Sequence, residues 1–118
     1  MAPARFANEV AMAATCDVLL AAGASPAAVI APEEAAEFAR GADALAANIG
    51  TLTRDRLQAL HGAAAAMRDA GRPWVLDPVG VGGSRHRGDA ARGLLALRPT
   101  VLRANAGEVV VLAGIGPE

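Results

Sequence analysis

The residues best suited to chemistry follow two short apolar segments in the second half of the chain. Asp77 ends one segment and is followed by the glycine-rich stretch 78 to 83, while Arg103 and Glu108 follow the other segment. Arginine grips phosphate oxygens in a bidentate fork, and glycines let backbone N–H groups approach an anion closely. Mg²⁺ is typically held by one or two carboxylates together with substrate phosphates and water. These residue types predict a site for a phosphorylated ligand, with Asp77 and Glu108 as candidate magnesium ligands.

The same side chains also have ordinary structural roles. A carboxylate that follows a strand often caps a helix, and an arginine at that place often forms a surface ion pair. A bare GxGG is weak evidence for phosphate binding, and the GxxxxGK[ST] loop is absent. The chain has no lysine, so a side-chain phosphate clamp here has to be an arginine. The combination of residues favours ligand binding more than any single residue does.

The elements that would position these residues alternate between helix and strand. Helices are predicted at 9–22, 32–40, 54–70, about 88–97 and from 106, and strands at 27–30, 44–49, 74–77 and 100–102. The apolar face of the helix at 54–70 is formed by Leu57, Leu60, Ala64 and Met67, and that of the helix at 9–22 by Val10, Ala14, Val18 and Ala21. Strand 44–49 is apolar rather than alternating, as expected for a strand covered on both sides.

Short connections between alternating strands and helices predict an α/β fold. The sheet should be mainly parallel, with helices on both faces and right-handed crossovers. The residues that follow three of the strands, at 48–51, 77–80 and 103–105, should therefore meet at one edge of the sheet. Open parallel sheets bind ligands outside the carboxyl ends of their strands, so we expect the site at this edge.

Composition limits the other classes of function. The chain of 118 residues is long enough for one domain, covering residues 1–118, and its formal net charge of −1 indicates no nucleic-acid partner and no anionic membrane surface. No apolar run reaches the ~20 residues of a membrane span, and the first ten residues lack a secretory signal, so a cytoplasmic location is expected. The single cysteine, Cys16, excludes an intramolecular disulfide and a multi-cysteine metal site.

Four segments of the chain together carry a family resemblance. LLAAGASP at 19–26, NIGTLT at 48–53, VLDPVG at 75–80 and RANAGE at 103–108 occur in this order. In sequence and spacing the chain resembles the hydroxyethylthiazole kinase family from Asn8 onward. The resemblance implies a three-layer ribokinase-like fold. It also implies transfer of phosphate from ATP, with Mg²⁺, to the alcohol of 4-methyl-5-(2-hydroxyethyl)thiazole in thiamine salvage, by a trimer with active sites at subunit boundaries.

The resemblance also assigns roles to individual residues. Arg103 and Asn8 match positions that contact the ATP phosphates, and Asp77 and Glu108 match acidic residues around the magnesium ion. Positions near the substrate are matched by Val10, Ala28, Gly50, Thr51 and Gly80. The chain departs from the family at Ala28, where a thiazole-contacting methionine is usual, at Ala104 in place of glycine and at Asp17 in place of asparagine.

The family's carboxyl-terminal half, with the rest of the ATP site and the catalytic cysteine, would lie beyond residue 118. We therefore expect these residues to form a partial domain that exposes an apolar sheet edge, is poorly soluble or oligomeric, and is at most weakly active. Two alternatives remain open at this point. One is a non-catalytic binding module or half of a split enzyme; the other is a related ribokinase-fold kinase for another small alcohol of pyrimidine or pyridoxal type.

Overall fold

Strands and helices alternate along the whole described chain. The computed structural model describes residues 4–6, 9–28 and 31–114. The strands are β1 (Ala4–Phe6), β2 (Ala27–Ala28), β3 (Leu45–Asn48), β4 (Trp74–Asp77) and β5 (Val101–Leu102), and the helices are α1 (Glu9–Ala21), α2 (Pro32–Arg40), α3 (Arg54–Ala70), α4 (Arg85–Leu95) and α5 (Ala106–Leu112). A short 3₁₀ turn, Val81–Gly83, precedes α4. Within these described ranges, no helix is both long enough and apolar enough to cross a membrane.

The five strands form one parallel sheet in the order β2-β1-β3-β4-β5. The chain leaves β1 towards one edge to form β2, and then returns past β1 and continues to the other edge through β3, β4 and β5. Right-handed crossovers in these two directions place α1 on one face of the sheet and α2, α3 and α4 on the other. The predicted parallel α/β fold is therefore confirmed. Its topological switch point lies between the carboxyl ends of β1 and β3, where ligands bind in sheets of this order.

The structure differs most clearly from the sequence-based prediction at α4, β1 and β2. Helix α4 begins at Arg85 rather than near residue 88, because the Ser84 hydroxyl accepts a hydrogen bond from Arg87 N (3.2 Å) and so caps the helix earlier. Strand β1 was not predicted at all, since three residues of mixed polarity carry no periodic signal. The predicted strand at 27–30 is present as β2 at its first two residues, and its last two lie outside the described residues.

Burial alternates along the central strands. Leu45, Ala47 and Ile49 are buried on one face of the sheet, as are Trp74 and Leu76 of the neighbouring strand. The residues between them are only half-buried. The expectation that strand 44–49 is covered on both sides was therefore wrong for the residues that the structure describes. Alanine on both faces hid the alternation, because it gives no contrast in hydrophobicity.

The core lies between the sheet and the pair α2 and α3. Ala59, Ala63 and Ala64 of α3 are fully buried, and so are Ala35 and Ala39 of α2. Small side chains let the two helices approach each other and the sheet closely. The predicted apolar face of α3 is confirmed, with Leu57 half-buried and its three other members fully buried.

The apolar face predicted for α1 is not a core face. Val18 is 66% exposed, and Ala14 and Ala21 are also exposed. On the last strand in the sheet order, Val101 is 54% exposed and Leu102 is 36% exposed. The described chain thus presents apolar side chains on β5 and α1, and the exposed β5 agrees with the apolar edge expected from the sequence.

Arg72 links the end of α2 to the start of β4 at the amino-terminal edge of the sheet. Its Nη1 atom donates hydrogen bonds to the carbonyl oxygens of Arg40 and Ala42, both at 2.6 Å. These carbonyls lie at the end of α2 and in the connection to β3, so one side chain links that connection to the start of β4. A cation at a helix carboxyl end is also favoured by the helix dipole.

We predict that Arg72→Ala destabilises the chain by about 1–2 kcal/mol, because two hydrogen bonds from a charged donor are lost at a partly exposed site. The measurement is the free energy of unfolding from urea denaturation. Arg68→Ala is the matched control, since Arg68 pairs only with exposed Asp69 in the described structure (3.2 Å) and should change stability by less than ~1 kcal/mol. Equal effects of the two substitutions would contradict the role given to Arg72.

Candidate functional site

Three polar side chains on neighbouring strands form a row at the carboxyl edge of the sheet. Asn48 of β3 is in register with Asp77 of β4. Arg103 directly follows β5, and its N–H donates to the carbonyl of Leu76 (2.9 Å). The Asp77 Oδ2 atom accepts hydrogen bonds from Arg103 Nη1 (2.7 Å) and from Asn48 Nδ2 (3.3 Å). We call Asn48, Asp77 and Arg103 the polar row.

The two charged members of the polar row differ strongly in exposure. The side chain of Asp77 is 17% exposed, whereas that of Arg103 is 78% exposed. The carboxylate is therefore the more buried partner, and it bonds one terminal nitrogen of a guanidinium on a mostly exposed side chain. A guanidinium carries five N–H donors, so the bond to Asp77 leaves further donors for a ligand. This arrangement suits recognition of a phosphate by Arg103.

The loop after β3 lies beside the switch point of the sheet. The Ile49 N–H donates to the Asp77 carbonyl (3.2 Å), which continues the pairing of β3 with β4. The Gly50 N–H then donates to the side-chain oxygen of Asn48 (2.7 Å), and Thr51 has a φ of 52°. A non-glycine residue in this left-handed region costs about 1–2 kcal/mol. The loop is thus held in a specific bend next to the place where the topology predicts a ligand.

The glycine-rich loop after β4 uses some of its backbone N–H groups for hydrogen bonds within its own turn. Gly80 has a φ of 74°, and the N–H groups of Val81 and Gly83 donate to the carbonyls of Pro78 (3.1 Å) and Gly80 (2.9 Å). Val81 is 1% exposed and belongs to the core. The loop is therefore anchored by a buried side chain, and two of its N–H groups are already used within the turn.

Glu108 and Asn105 form a capping box at the start of α5. The Glu108 N–H donates to Asn105 Oδ1 (2.8 Å), and the Asn105 N–H donates to Glu108 Oε1 (2.9 Å). This is the capping role that an acidic residue near a helix start often has. The capping box uses one carboxylate oxygen of Glu108. The proposed magnesium role of this residue stays a prediction.

The other predicted site residues are distributed over the same half of the sheet. Val10 lies in α1, which follows β1, and Ala28 ends β2; their side chains are not described. Asn8 lies outside the described residues, two positions after β1 in the sequence. Gly50, Thr51 and Gly80 lie in the loops after β3 and β4. The structure therefore places the residues that follow β3, β4 and β5 at one edge of the sheet, as the sequence predicted. It also shows that Asn48 is a hydrogen-bond partner of Asp77.

A surface groove lies away from this edge. It is lined by residues of α2 and of the segments that lead into β2 and β3, namely Ser25, Pro26, Ala27, Glu34, Glu37, Phe38, Gly41 and Ala42. These segments are at the amino ends of their strands, which is the opposite edge of the sheet. The groove is separate from the polar row.

Comparison with known proteins decides the family. The family model described as hydroxyethylthiazole kinase family matches residues 4–118. The chain belongs to the hydroxyethylthiazole kinase family. The resemblance stated from the sequence is thereby confirmed, since the match covers the polar row, both loops and all of the described residues.

Individual relatives agree with the family match. The chain is 50% identical over 111 residues to a hydroxyethylthiazole kinase of Pectobacterium carotovorum, covering 94% of this chain and 42% of the relative. It is 55% identical over 107 residues to one of Rhizobium leguminosarum, covering 91% of this chain and 40% of the relative. The solved structure of a Pyrococcus horikoshii hydroxyethylthiazole kinase superposes with a TM-score of 0.91 at 38% identity, covering 96% of this chain and 44% of that one.

The chain thus spans less than half the length of the relatives that it matches. Over that length the backbone follows the solved structure closely. The ribokinase-like α/β assignment made from the sequence is confirmed at the level of the family and of this structural match.

We predict that Gly80→Ala destabilises the chain by about 1–2 kcal/mol, because an L-residue is strained at this positive φ. An added Cβ would make only an ordinary contact with Nη1 of Arg87, at 3.5 Å, so the expected cost comes from the backbone. Gly82→Ala is the matched control in the same loop: its φ is not positive, and its added Cβ would make an ordinary contact with Val111 at 3.5 Å. Thermal and urea denaturation measure both. Equal stability of the two variants would contradict the backbone role of Gly80.

Proposed function

We propose that this chain supplies the phosphate-facing part of a hydroxyethylthiazole kinase. The reaction transfers a phosphoryl group from ATP to the hydroxyl of 4-methyl-5-(2-hydroxyethyl)thiazole, in thiamine salvage. Family membership over residues 4–118 supports the assignment, and the single structural observation that carries it is the polar row, with its exposed arginine held by a partly buried aspartate. That these 118 residues by themselves are at most weakly active is part of the proposal. So are a cytoplasmic location and assembly as a homotrimer.

In this proposal Arg103 binds the ATP phosphates. Its exposed guanidinium offers several N–H donors in a plane, which matches the oxygens of a phosphate. Asp77 restricts the rotation of Arg103 and so reduces the entropy lost when the phosphate binds. Asn8, which follows β1 in the sequence and lies outside the described residues, is proposed as a second phosphate contact. Phosphoryl transfer depends mainly on such positioning and on stabilisation of charge.

Asp77 and Glu108 are proposed to hold Mg²⁺. Their donor chemistry fits, since Mg²⁺ prefers carboxylate oxygens and each carboxylate has one oxygen besides the one used by its protein partner. Among the described residues no three His, Cys, Asp or Glu side chains gather around one point, but a site completed by phosphates and water does not require them. When bound, the ion neutralises developing charge on the phosphates.

Substrate contacts are proposed for the residues around the switch point. Gly50, Thr51 and Gly80 present backbone groups at the ends of β3 and β4, and Val10 and Ala28 come from α1 and β2. Ala28 has a small side chain where the family's methionine is usual, so the pocket near β2 is wider in this proposal. That width favours a second candidate function, phosphorylation of another small alcohol of pyrimidine or pyridoxal type. Binding of a panel of such alcohols distinguishes the two.

We predict that Arg103→Ala weakens ATP binding by about tenfold or more, because hydrogen bonds to a charged group contribute roughly 1.5–3 kcal/mol. Isothermal titration calorimetry with ATP and Mg²⁺ measures the affinity without requiring turnover. Arg40→Ala is the control, since it removes the same charge at the last turn of α2, at the opposite edge of the sheet. If both variants bind ATP as the unmodified chain does, Arg103 is not a phosphate ligand.

A pair of substitutions separates the two roles of Glu108. Glu108→Gln should keep the capping box and change stability by less than ~0.5 kcal/mol, because glutamine also accepts the Asn105 N–H, whereas Glu108→Ala should cost about 1 kcal/mol. Both should reduce the effect of Mg²⁺ on ATP affinity. A Glu108→Gln variant with the full magnesium effect would leave Glu108 as a capping residue only.

A further inference from the structure

Arg87 reaches from α4 to both loops that carry proposed substrate contacts. Its Nη1 atom donates a hydrogen bond to the carbonyl of Ile49 (3.0 Å) and another to the carbonyl of Val79 (3.3 Å). Ile49 directly precedes Gly50, and Val79 directly precedes Gly80. One guanidinium nitrogen therefore joins the chain at the carboxyl end of β3 to the chain at the carboxyl end of β4.

The side chain of Arg87 is held along its length before it reaches these carbonyls. Its own N–H donates to Ser84 Oγ at the amino cap of α4 (3.2 Å), which fixes its place in the first turn. Its Cδ atom lies 3.7 Å and 3.9 Å from the positions that a Cβ would take on Gly80 and Gly83. These distances are ordinary van der Waals contacts, so the side chain of Arg87 passes directly over both glycines. A long side chain confined in this way loses little further rotamer freedom when its hydrogen bonds form.

The contact at Ile49 completes the hydrogen bonding of the loop after β3. The Ile49 N–H is bonded to the carbonyl of Asp77 (3.2 Å), and the Gly50 N–H to the side chain of Asn48 (2.7 Å). Arg87 supplies the donor for the Ile49 carbonyl, next to a side chain that is fully buried. Without that donor, a partly buried carbonyl loses its protein partner, which is costly.

We infer that Arg87 is a positioning residue that sets the separation between the loops at 49–51 and 79–80. Through that separation it controls where the backbone groups of Gly50, Thr51 and Gly80 meet a bound substrate. The part that concerns substrate rests on the proposed function, whereas the mechanical coupling of the two loops does not. Lysine should replace arginine only in part, because its ammonium can donate to both carbonyls but its side chain is shorter than that of arginine.

Hydrogen exchange of individual amides, followed by NMR on the 118-residue chain, tests the coupling. The variants are Arg87→Gln, Arg87→Lys and the control Arg85→Gln, which removes the same charge from an exposed residue two positions earlier in α4. We expect Arg87→Gln to raise the exchange rates of the hydrogen-bonded amides of Ile49, Gly50 and Val81 by about tenfold, since local opening governs these rates, while Leu76 in β4 keeps its rate. Arg87→Lys should recover part of the protection, and Arg85→Gln should have no effect.

The same samples are titrated with the thiazole alcohol. Affinity should fall in the order unmodified chain, Arg87→Lys, Arg87→Gln. Unchanged exchange in the two loops, or an equal rise at Leu76, would overturn the inference, because Arg87 would then have no role or only a general structural one. Absence of alcohol binding by the unmodified chain would instead count against the proposed function, and the exchange rates alone would then decide the role of Arg87.

Discussion

The parallel register of β3 with β4 places Asn48 beside Asp77 and, two residues earlier, Ala46 beside Val75. Because side chains alternate between faces, this register sends Leu45, Ala47 and Ile49 into the core and leaves the polar pair on the other face. A shift of one residue would bury Asn48 and Asp77 and expose the core. The hydrophobic face therefore fixes the position of the carboxylate that holds Arg103, and the geometry of the edge depends on the packing of the core.

Arginine performs several distinct tasks in a chain without lysine. Arg72 bonds backbone carbonyls at the amino-terminal edge of the sheet, Arg87 bonds them at the carboxyl-terminal edge, and Arg92 donates to the carbonyl of Val111 in the last turn of α5 (3.0 Å). In each case a guanidinium reaches across elements that are distant in sequence. Arg103 differs, because its partner is a carboxylate and most of its side chain is exposed. Of these four arginines, Arg103 is therefore the one available to a ligand at the carboxyl edge.

The sequence predicted the long elements well and the contacts between them less well. The start of α2 at Pro32 and the end of α3 at Gly71 follow from local chemistry, and the structure confirms them. Local chemistry allowed Thr51 or Thr53 to cap α3, and the structure shows that Thr53 does so. Strand β1 escaped prediction because its identity depends on pairing with β2 and β3, which only the folded sheet provides. Without β1, the switch point could not be located from the sequence.

Some residues of the candidate site were also predictable from the sequence, and others were not. Asp77 and Arg103 were found from their residue types and from the strands that precede them. Arg87 was not, since its partners are backbone carbonyls, and no residue type in the sequence indicates which carbonyl needs a donor. Asn48 belongs to the motif NIGTLT at 48–53, but its hydrogen bond to Asp77 depends on the register of two strands that are distant in sequence. The metal and substrate roles remain predictions that follow from the family.

The alanines between α2, α3 and the sheet have a consequence for how these residues tolerate variation. Alanine has no rotamers to lose, so this part of the core folds with little side-chain entropy cost, but it also cannot adjust by rotating a side chain. A larger residue at Ala59, Ala63 or Ala64 would have to displace a whole helix, and with it the loops at the ends of β3 and β4. Variation selected for new substrates should therefore accumulate in the loops and at Ala28, while the helix interface stays composed of small residues.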